Sequence, residues 1–428
     1  PEVIEAGRMS GCTNWQLMFK VLIPTARRDI LIGVNQVIMV CFSMAVISAF
    51  IGAKGLGFNL LLALNQLNIG LALEAGLCIS LIAILLDKMS LAWANKQTDY
   101  FGNLTFFQRN KNVIFFAASF VIGIILAYVG TFIFKGSFNY LFEIPHNKGI
   151  STADFWNKGV DWIFDTFFVY IKAFNTWLIQ DVLQPMRALY LRMPAVATLV
   201  LAVGAGYLIG GIRSALVVAA LTLFIALSPW WDRALVTLYM ATFGVVISCL
   251  IGFTVGTLCF QNKKSAAFML GVCDIFQTFP SFVYLIPVMM LFGITDTSVL
   301  IAVIVYATIP ATRYTIEGLR SVPVGLHEAA TMSGVNKFQR LTKIEFPLAF
   351  PHMMLGLNQT IVFALFMVII GAFIGTEDLG QYILKALSDK NGAGIGLTLG
   401  ICVAFIGLIF DNLIRTWVGK RKKHLGIA

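Results

Sequence analysis

Apolar residues along this chain come in long runs separated by short polar clusters. Ten runs stand out, at 29–52, 71–93, 113–134, 193–212, 214–230, 234–260, 267–292, 299–318, 353–375 and 395–418. A helix needs roughly 20 apolar residues to cross the hydrocarbon core of a bilayer. The pattern therefore predicts an all-α, polytopic transmembrane helix bundle of about ten spans. Gly210, Gly211 and Arg213 must turn the chain tightly between the fourth and fifth runs. Segment 135–192 reads differently. Its apolar residues keep helical spacing but are interrupted by Asp161, Asp165, Lys172 and Asp181, with Trp162 and Trp177 among them. Such a pattern suits a helix lying along the outer membrane face, either as an interfacial anchor or as a dock for a binding protein.

Composition agrees with that class. Of 428 residues, 58% are hydrophobic and 12% charged, against about 25% charged in an ordinary soluble domain. Mean hydropathy is +0.84. The net charge of +10 raises nucleic acid as a partner, but the basic residues sit between apolar runs and form no aromatic-interleaved face. The expected contact is membrane lipid, with no nucleic acid. Basic residues gather at Arg27/Arg28, Arg109/Lys111, Lys263/Lys264, Arg313/Arg320, Lys337/Arg340/Lys343 and Lys420–Lys423, which ten alternating spans place on one side. That side is expected to be the cytoplasm. The seven cysteines form no CxxC and the four histidines show no ligand spacing, so neither a disulfide framework nor a metal site is expected. The opening Pro1 leads to the expectation of a chain lacking spans before its first loop.

The chain also matches itself at an offset of 323 residues. Glu5-Ala-Gly-Arg-Met-Ser-Gly11 lies against Glu328-Ala-Ala-Thr-Met-Ser-Gly334, Pro24 against Pro347, Gly33 against Gly356 and Asn35-Gln36 against Asn358-Gln359. Ala49-Phe-Ile-Gly52 lies against Ala372-Phe-Ile-Gly375; Asp87 and Trp93 match Asp411 and Trp417 after one inserted residue. Shared amphipathicity would match hydrophobicity, not glycines, prolines and Asn-Gln pairs. The predicted organisation is the later part of a first unit over 1–93, a linker with one extra span over 94–192, and a complete second unit over 193–428.

Within the repeat, the polar loop reads Glu328, Ala329, Ala330, Gly334, then Ile344, Phe346 and Pro347. It predicts two short helices broken at Gly334, with small residues for close docking and Pro347 ending the second helix. The first copy carries Glu5, Ala6, Gly7, Gly11, Val21 and Pro24; Gly7 in place of the second alanine is expected to loosen that helix. A helix pair of this kind can act as a lever on the spans at either side.

This loop resembles the EAA loop of prokaryotic ABC import permeases, which seats in a cleft of the ATPase subunit. Residues 155–428 further resemble the glycine betaine/proline betaine/choline permeases. The resemblance rests on Asp274-Ile-Phe-Gln-Thr-Phe-Pro-Ser-Phe-Val-Tyr-Leu-Ile-Pro287, Leu291-Phe-Gly-Ile294 and Gly356-Leu-Asn-Gln-Thr360. It implies a type I importer-like permease fold with a duplicated unit, in the bacterial inner membrane. It also implies an ATPase dimer holding ATP and Mg, a periplasmic solute-binding protein, and a compact quaternary-ammonium or proline-type solute taken up for osmoprotection. Two units on one polypeptide depart from the commoner one-unit chain.

The chain carries no GxxxxGK[ST] loop, GxSxG, HExxH or paired-carboxylate site, so no catalytic residue is assigned and no cofactor is expected on it. Asp274, Gln277, Phe279 and Pro280, with Asn358 and Gln359, are candidates for a solute path. A charge within a span is costly, so Asp274 and Gln277 either line the path, brace the break at Pro280, or bond to a neighbouring helix. An amino-acid permease and an ion-driven carrier built from repeats are the alternatives.

Overall fold

The computed structural model describes residues 2–66, 68–94, 111–132, 151–372 and 375–424, and among these it is all-α. In chain order the helices are α1 (Glu2–Met9), α2 (Asn14–Gln16), α3 (Ile23–Ile47), α4 (Leu56–Asn65), α5 (Ile69–Ala94), α6 (Lys111–Phe132), α7 (Ala153–Trp177), α8 (Gln184–Leu191), α9 (Ala195–Gly210) and α10 (Ile212–Leu227). They continue as α11 (Trp231–Phe260), α12 (Lys263–Thr278), α13 (Phe282–Phe292), α14 (Asp296–Arg320), α15 (Val324–Met332), α16 (Lys337–Arg340), α17 (Phe346–Gly371), α18 (Leu379–Ser388) and α19 (Ala393–His424). The chain divides into two compact units: Pro1–Gly33 with Met89–Asp154, and Val34–Lys88 with Phe155–Ala428. Within the predicted linker, 95–110 and 133–150 lie outside the described residues.

Each of the ten predicted runs is helical where described, but they are not ten equal spans. Among the described residues, five helices are long and apolar enough to cross a bilayer alone, and up to seven spans result if each bent pair counts as one. The helices α9 and α10 have 16 residues each, about 24 Å at the rise of an α-helix. They turn at Gly211, whose φ of 73° favours glycine. The helical path from Ala153 to Leu191 meets α9 at 92°. Its exposed Phe155, Trp162, Tyr170 and Trp177 belong to the amphipathic pattern read from the sequence.

The predicted span 267–292 is two helices, α12 and α13, bent by 90° across Phe279–Ser281. Proline is the cause. Pro280 has no N–H for the carbonyl of Phe276, and the Tyr284 hydroxyl donates to that carbonyl instead. The freed carbonyl, which also accepts from Phe279 N at 3.3 Å, is thus satisfied inside the protein.

The core of the second unit is built on α14, which lies between α11 and α17. Gly244, Gly252 and Gly256 form a stripe on α11, and a methyl added at Gly252 would stand 3.0 Å from the Thr312 amide nitrogen. Small residues let such helices approach closely where lipid supplies no hydrophobic drive. Tyr284, Tyr306 and Phe363 continue the packing, with ring centroids 5.4 and 4.7 Å apart.

The repeat read from the sequence recurs in three dimensions. Gly52 and Gly375 adopt φ of 90° and 93°. A Cβ on Gly57 would meet the Val46 Cα at 3.0 Å, and one on Gly380 would meet the Ile369 Cα at 3.0 Å. Both pairs stand 323 residues apart, so the same close approach holds α4 to α3 and α18 to α17.

Candidate functional site

The two repeated loops have one backbone. In the second, α15 ends at Met332, Gly334 takes φ 71°, and Val335 N donates to Ala330 O at 3.1 Å. In the first, α1 ends at Met9, Gly11 takes φ 74°, and Cys12 N donates to Gly7 O at 3.3 Å. A residue bearing a Cβ is strained at such φ, which explains the two glycines. The next helix starts in both on a reciprocal cap. Asn336 accepts from Gln339 N at 2.8 Å while its own N–H donates to Gln339 Oε1 at 3.1 Å. Thr13 and Gln16 make the same pair at 3.4 and 3.0 Å.

Pro347 does not end the second helix of its loop. The chain passes from α16 through a π-turn, Leu341–Glu345, straight into α17. Phe346 N–H reaches Leu341 O, five residues back. The first copy repeats this, with Leu17–Leu22 as the π-turn, Ile23 N–H on Met18 O, and then Pro24. A third π-turn, Leu178–Leu183, likewise closes shortly before Pro185. A proline ring clashes with the carbonyl four residues earlier, and the widened turn moves that carbonyl away. The loop helix and the apolar helix after it are therefore one continuous rod.

Of the predicted loop residues, Glu5, Ala6 and Gly11 are exposed in the first copy, as are Glu328, Ala329 and Gly334 in the second; Ile344 and Val21 are half-buried. Ala330 and Gly7 point inward. In the first copy the buried Leu17 packs against Gly7: a Cβ on Gly7 would lie 2.5 Å from Leu17 Cδ1. Sequence reasoning missed four exposed side chains. Met9 is 89% exposed and Met332 91%; Trp15 is 75% exposed and Phe338 73%. The signal was present in the repeat, since 9 and 332, like 15 and 338, are equivalent positions. Each loop thus presents a methionine and an aromatic ring to its surroundings.

Three of the six predicted path residues, Asp274, Gln277 and Asn358, are engaged in helix-to-helix bonds. Arg313 on α14 donates to Asp274 at 2.8 Å, to Gln277 at 3.1 Å and to Glu317 at 3.0 Å. The Asp274 carboxylate is exposed, not buried mid-span. Asn358 on α17 donates to Asp411 at 2.8 Å, and Arg415 donates to the same carboxylate at 2.6 Å. Asp411 lies well inside α19. Phe279 and Gln359 are half-buried and Pro280 is buried.

A cavity of about 440 Å³ opens elsewhere, between α4–α5 of the first copy and α13 of the second. Ala63, Leu64 and Ala72 line one wall, Ile286, Met289 and Met290 the other. The ends of the bundle carry distinct charge networks. Arg320 Nη2 donates to Lys263 O at 3.2 Å at one end. At the other, Glu377 accepts from Arg187 at 2.8 Å and from Arg233 at 3.1 Å, and these two guanidiniums hold its carboxyl below the usual range. Asp296 joins them, 3.7 Å from Arg187.

Comparison with known proteins agrees with this architecture. Residues 1–142 and 244–424 match the family described as binding-protein-dependent transport system inner membrane component. The chain is 89% identical over its whole length to the trimethylamine N-oxide transport system permease protein TmoV of Pelagibacter ubique, of which it covers 60%. It is 41% identical over its whole length to the protein of the same name from Ruegeria pomeroyi, covering 64% of it. It is 29% identical over 66% of its length to the glycine betaine/proline betaine transport system permease protein ProW of Escherichia coli, covering 79%. The chain thus spans under two thirds of the TmoV proteins. With the family matched along most of its length, on both copies of the repeat, this chain belongs to the binding-protein-dependent transport system inner membrane components.

Proposed function

We propose that this chain is the membrane-spanning permease part of an ATP-driven importer whose solute is a small methylated amine, trimethylamine N-oxide in the first place. The observation that carries the reading is the duplicated loop. Met9 with Trp15, and Met332 with Phe338, are equally exposed on equal backbones. A patch presented twice suits a partner with two equivalent apolar clefts, which a dimer supplies. In this reading the partner is an ATPase dimer carrying ATP and Mg. Glu5 and Glu328 lie beside the same contact, and the continuous rods through Pro24 and Pro347 carry its movement into α3 and α17.

The end marked by Lys263 and Arg320 is assigned to the cytoplasm of an inner membrane, as the positive-inside rule favours. The opposite end, with Arg187, Arg233, Asp296 and Glu377, faces a periplasmic solute-binding protein. Residues 1–93 act as the later part of one permease unit, 94–192 as a linker with one further span, and 193–428 as a second unit. The solute assignment is supported by the names of the relatives at 89% and 41% identity. Glycine betaine shares with trimethylamine N-oxide a trimethylated nitrogen and a nearby negative oxygen, so betaines are the second candidates. The seam cavity, walled by aliphatic groups and thioethers, suits methyl groups without binding them tightly.

The test is uptake of radiolabelled trimethylamine N-oxide by proteoliposomes holding the full-length protein with its ATPase and binding protein. Uptake should require ATP, and the pair Met332→Glu and Phe338→Glu should abolish co-purification of the ATPase. Uptake driven by a sodium gradient without ATP would sink the proposal.

A further inference from the structure

Glu345 is the last residue of the second π-turn and is only 2% exposed. One of its oxygens, Oε1, lies 2.9 Å from Arg340 Nε and 3.1 Å from His327 Nδ1. His327 belongs to α15 and Arg340 to α16, while Glu345 leads directly into α17. The carboxylate therefore ties both loop helices to the start of the long apolar helix. One repeat earlier, the equivalents of His327, Ala330, Arg340 and Glu345 are Ile4, Gly7, Leu17 and Leu22. The first loop holds the same backbone by apolar packing, with Leu17 seated over Gly7.

We infer that Glu345 is a positioning residue of the second loop, and that the brace operates as a set of four residues exchangeable only together. The inference rests on the loop being the contact with the ATPase. A carboxylate buried beside leucines has no partner, and Arg340 and His327 facing a leucine lose their shared acceptor; either mixture is worse than either matched set. Ala330 is buried in the loop whose arginine bonds Glu345, whereas in the first loop Leu17 stands where a Cβ on Gly7 would lie. Without the tie, α15 moves independently of α17, and a pull on the loop no longer reaches the span.

The experiment uses the full-length protein with its ATPase and binding protein in proteoliposomes, reading solute taken up per ATP hydrolysed. Hydrogen exchange of the α15 amides in the permease alone is measured alongside. Three variants are compared: Glu345→Leu, Glu345→Gln, and the four-residue exchange H327I/A330G/R340L/E345L. Glu345→Leu should speed α15 exchange and lower the transport ratio by about tenfold, the exchange variant should restore both to near wild type, and Glu345→Gln should fall between. The inference is overturned if Glu345→Leu leaves the exchange rate and the ratio unchanged. It is equally overturned if the four-residue exchange is no better than the single change. Should Glu345→Leu not accumulate, wild-type behaviour of the exchange variant still supports the set, and its failure refutes it. An α15 response in the permease alone, where wild type shows no coupling to an ATPase, supports the brace while refuting the proposed function.

Discussion

The two surface loops share a backbone to within a few degrees at their glycines, yet they are braced by opposite chemistry. The first sets Ile4, Gly7, Leu17 and Leu22 at the positions where the second has His327, Ala330, Arg340 and Glu345. What has been kept through duplication is the glycine break, the reciprocal cap, the π-turn before proline and the exposed methionine with its aromatic. What has drifted is the means of holding them. An ion pair out of water and a leucine cluster of similar volume can be equally stable, because the Coulomb gain of the pair is offset by its desolvation. Evolution can therefore exchange one for the other, provided all members change together.

The same holds at the next pair of helices. The N-cap of α18 is Asp378, accepting from Gln381 N at 3.0 Å, whereas the N-cap of α4 is Gly55, with no side chain to offer. Asp378 is fully buried, and burial pushes its carboxyl up to about 7. The two copies thus differ in whether a titratable group stands at this corner.

These differences can be broken or sharpened by experiment. The largest effect is expected from Glu345→Ala, which strands Arg340 and His327; a destabilisation of about 1–3 kcal/mol follows, tempered because both side chains are part-exposed. Leu22→Ala in the first loop should cost about 2 kcal/mol by loss of apolar burial alone, and unlike Glu345→Ala it should be insensitive to salt. Denaturant unfolding at two salt concentrations would separate them.

Gly7→Ala should cost about 1 kcal/mol because Leu17 must shift, and the cost should vanish in a Leu17→Ala background. A double-mutant cycle with no coupling would refute the packing account. Gly11→Ala and Gly334→Ala should each cost about 1 kcal/mol from positive φ alone, since nothing stands within 4 Å of either position. Unequal costs would show that the shared backbone is less alike than its angles.

The smallest effect concerns pH. The folded pKa of Asp378 is above its unfolded value, so its contribution is fully present below about 4 and is lost as pH rises through about 7. Protection of the α18 amides should therefore fall between about pH 4 and 7, Asp378→Asn should remove the slope, and α4 should show none.

Much of this architecture was legible in the chain. The apolar runs placed the helices, because the length and composition that suit a bilayer are local properties. The repeat and the glycine break were legible too, since a positive φ and a cap depend on residues within a few positions of each other. Met9, Trp15, Met332 and Phe338 were readable only as equivalent positions, because exposure of an apolar side chain depends on what the fold sets beside it. The break within 267–292 was marked by Pro280, but its angle and the Tyr284 hydroxyl that completes it were not.

By itself, then, the sequence determined the helices, the duplication and the paired loops, all of which follow from periodicity, glycine and proline at close range. Only the tertiary structure decided who partners whom. Arg313 with Asp274, Asn358 with Asp411 and Leu17 over Gly7 join residues on different helical segments, whose distance is set by packing and not by spacing. The physical reason is that a helix dictates its own backbone bonds, while a side chain is satisfied by whichever neighbour the bundle delivers.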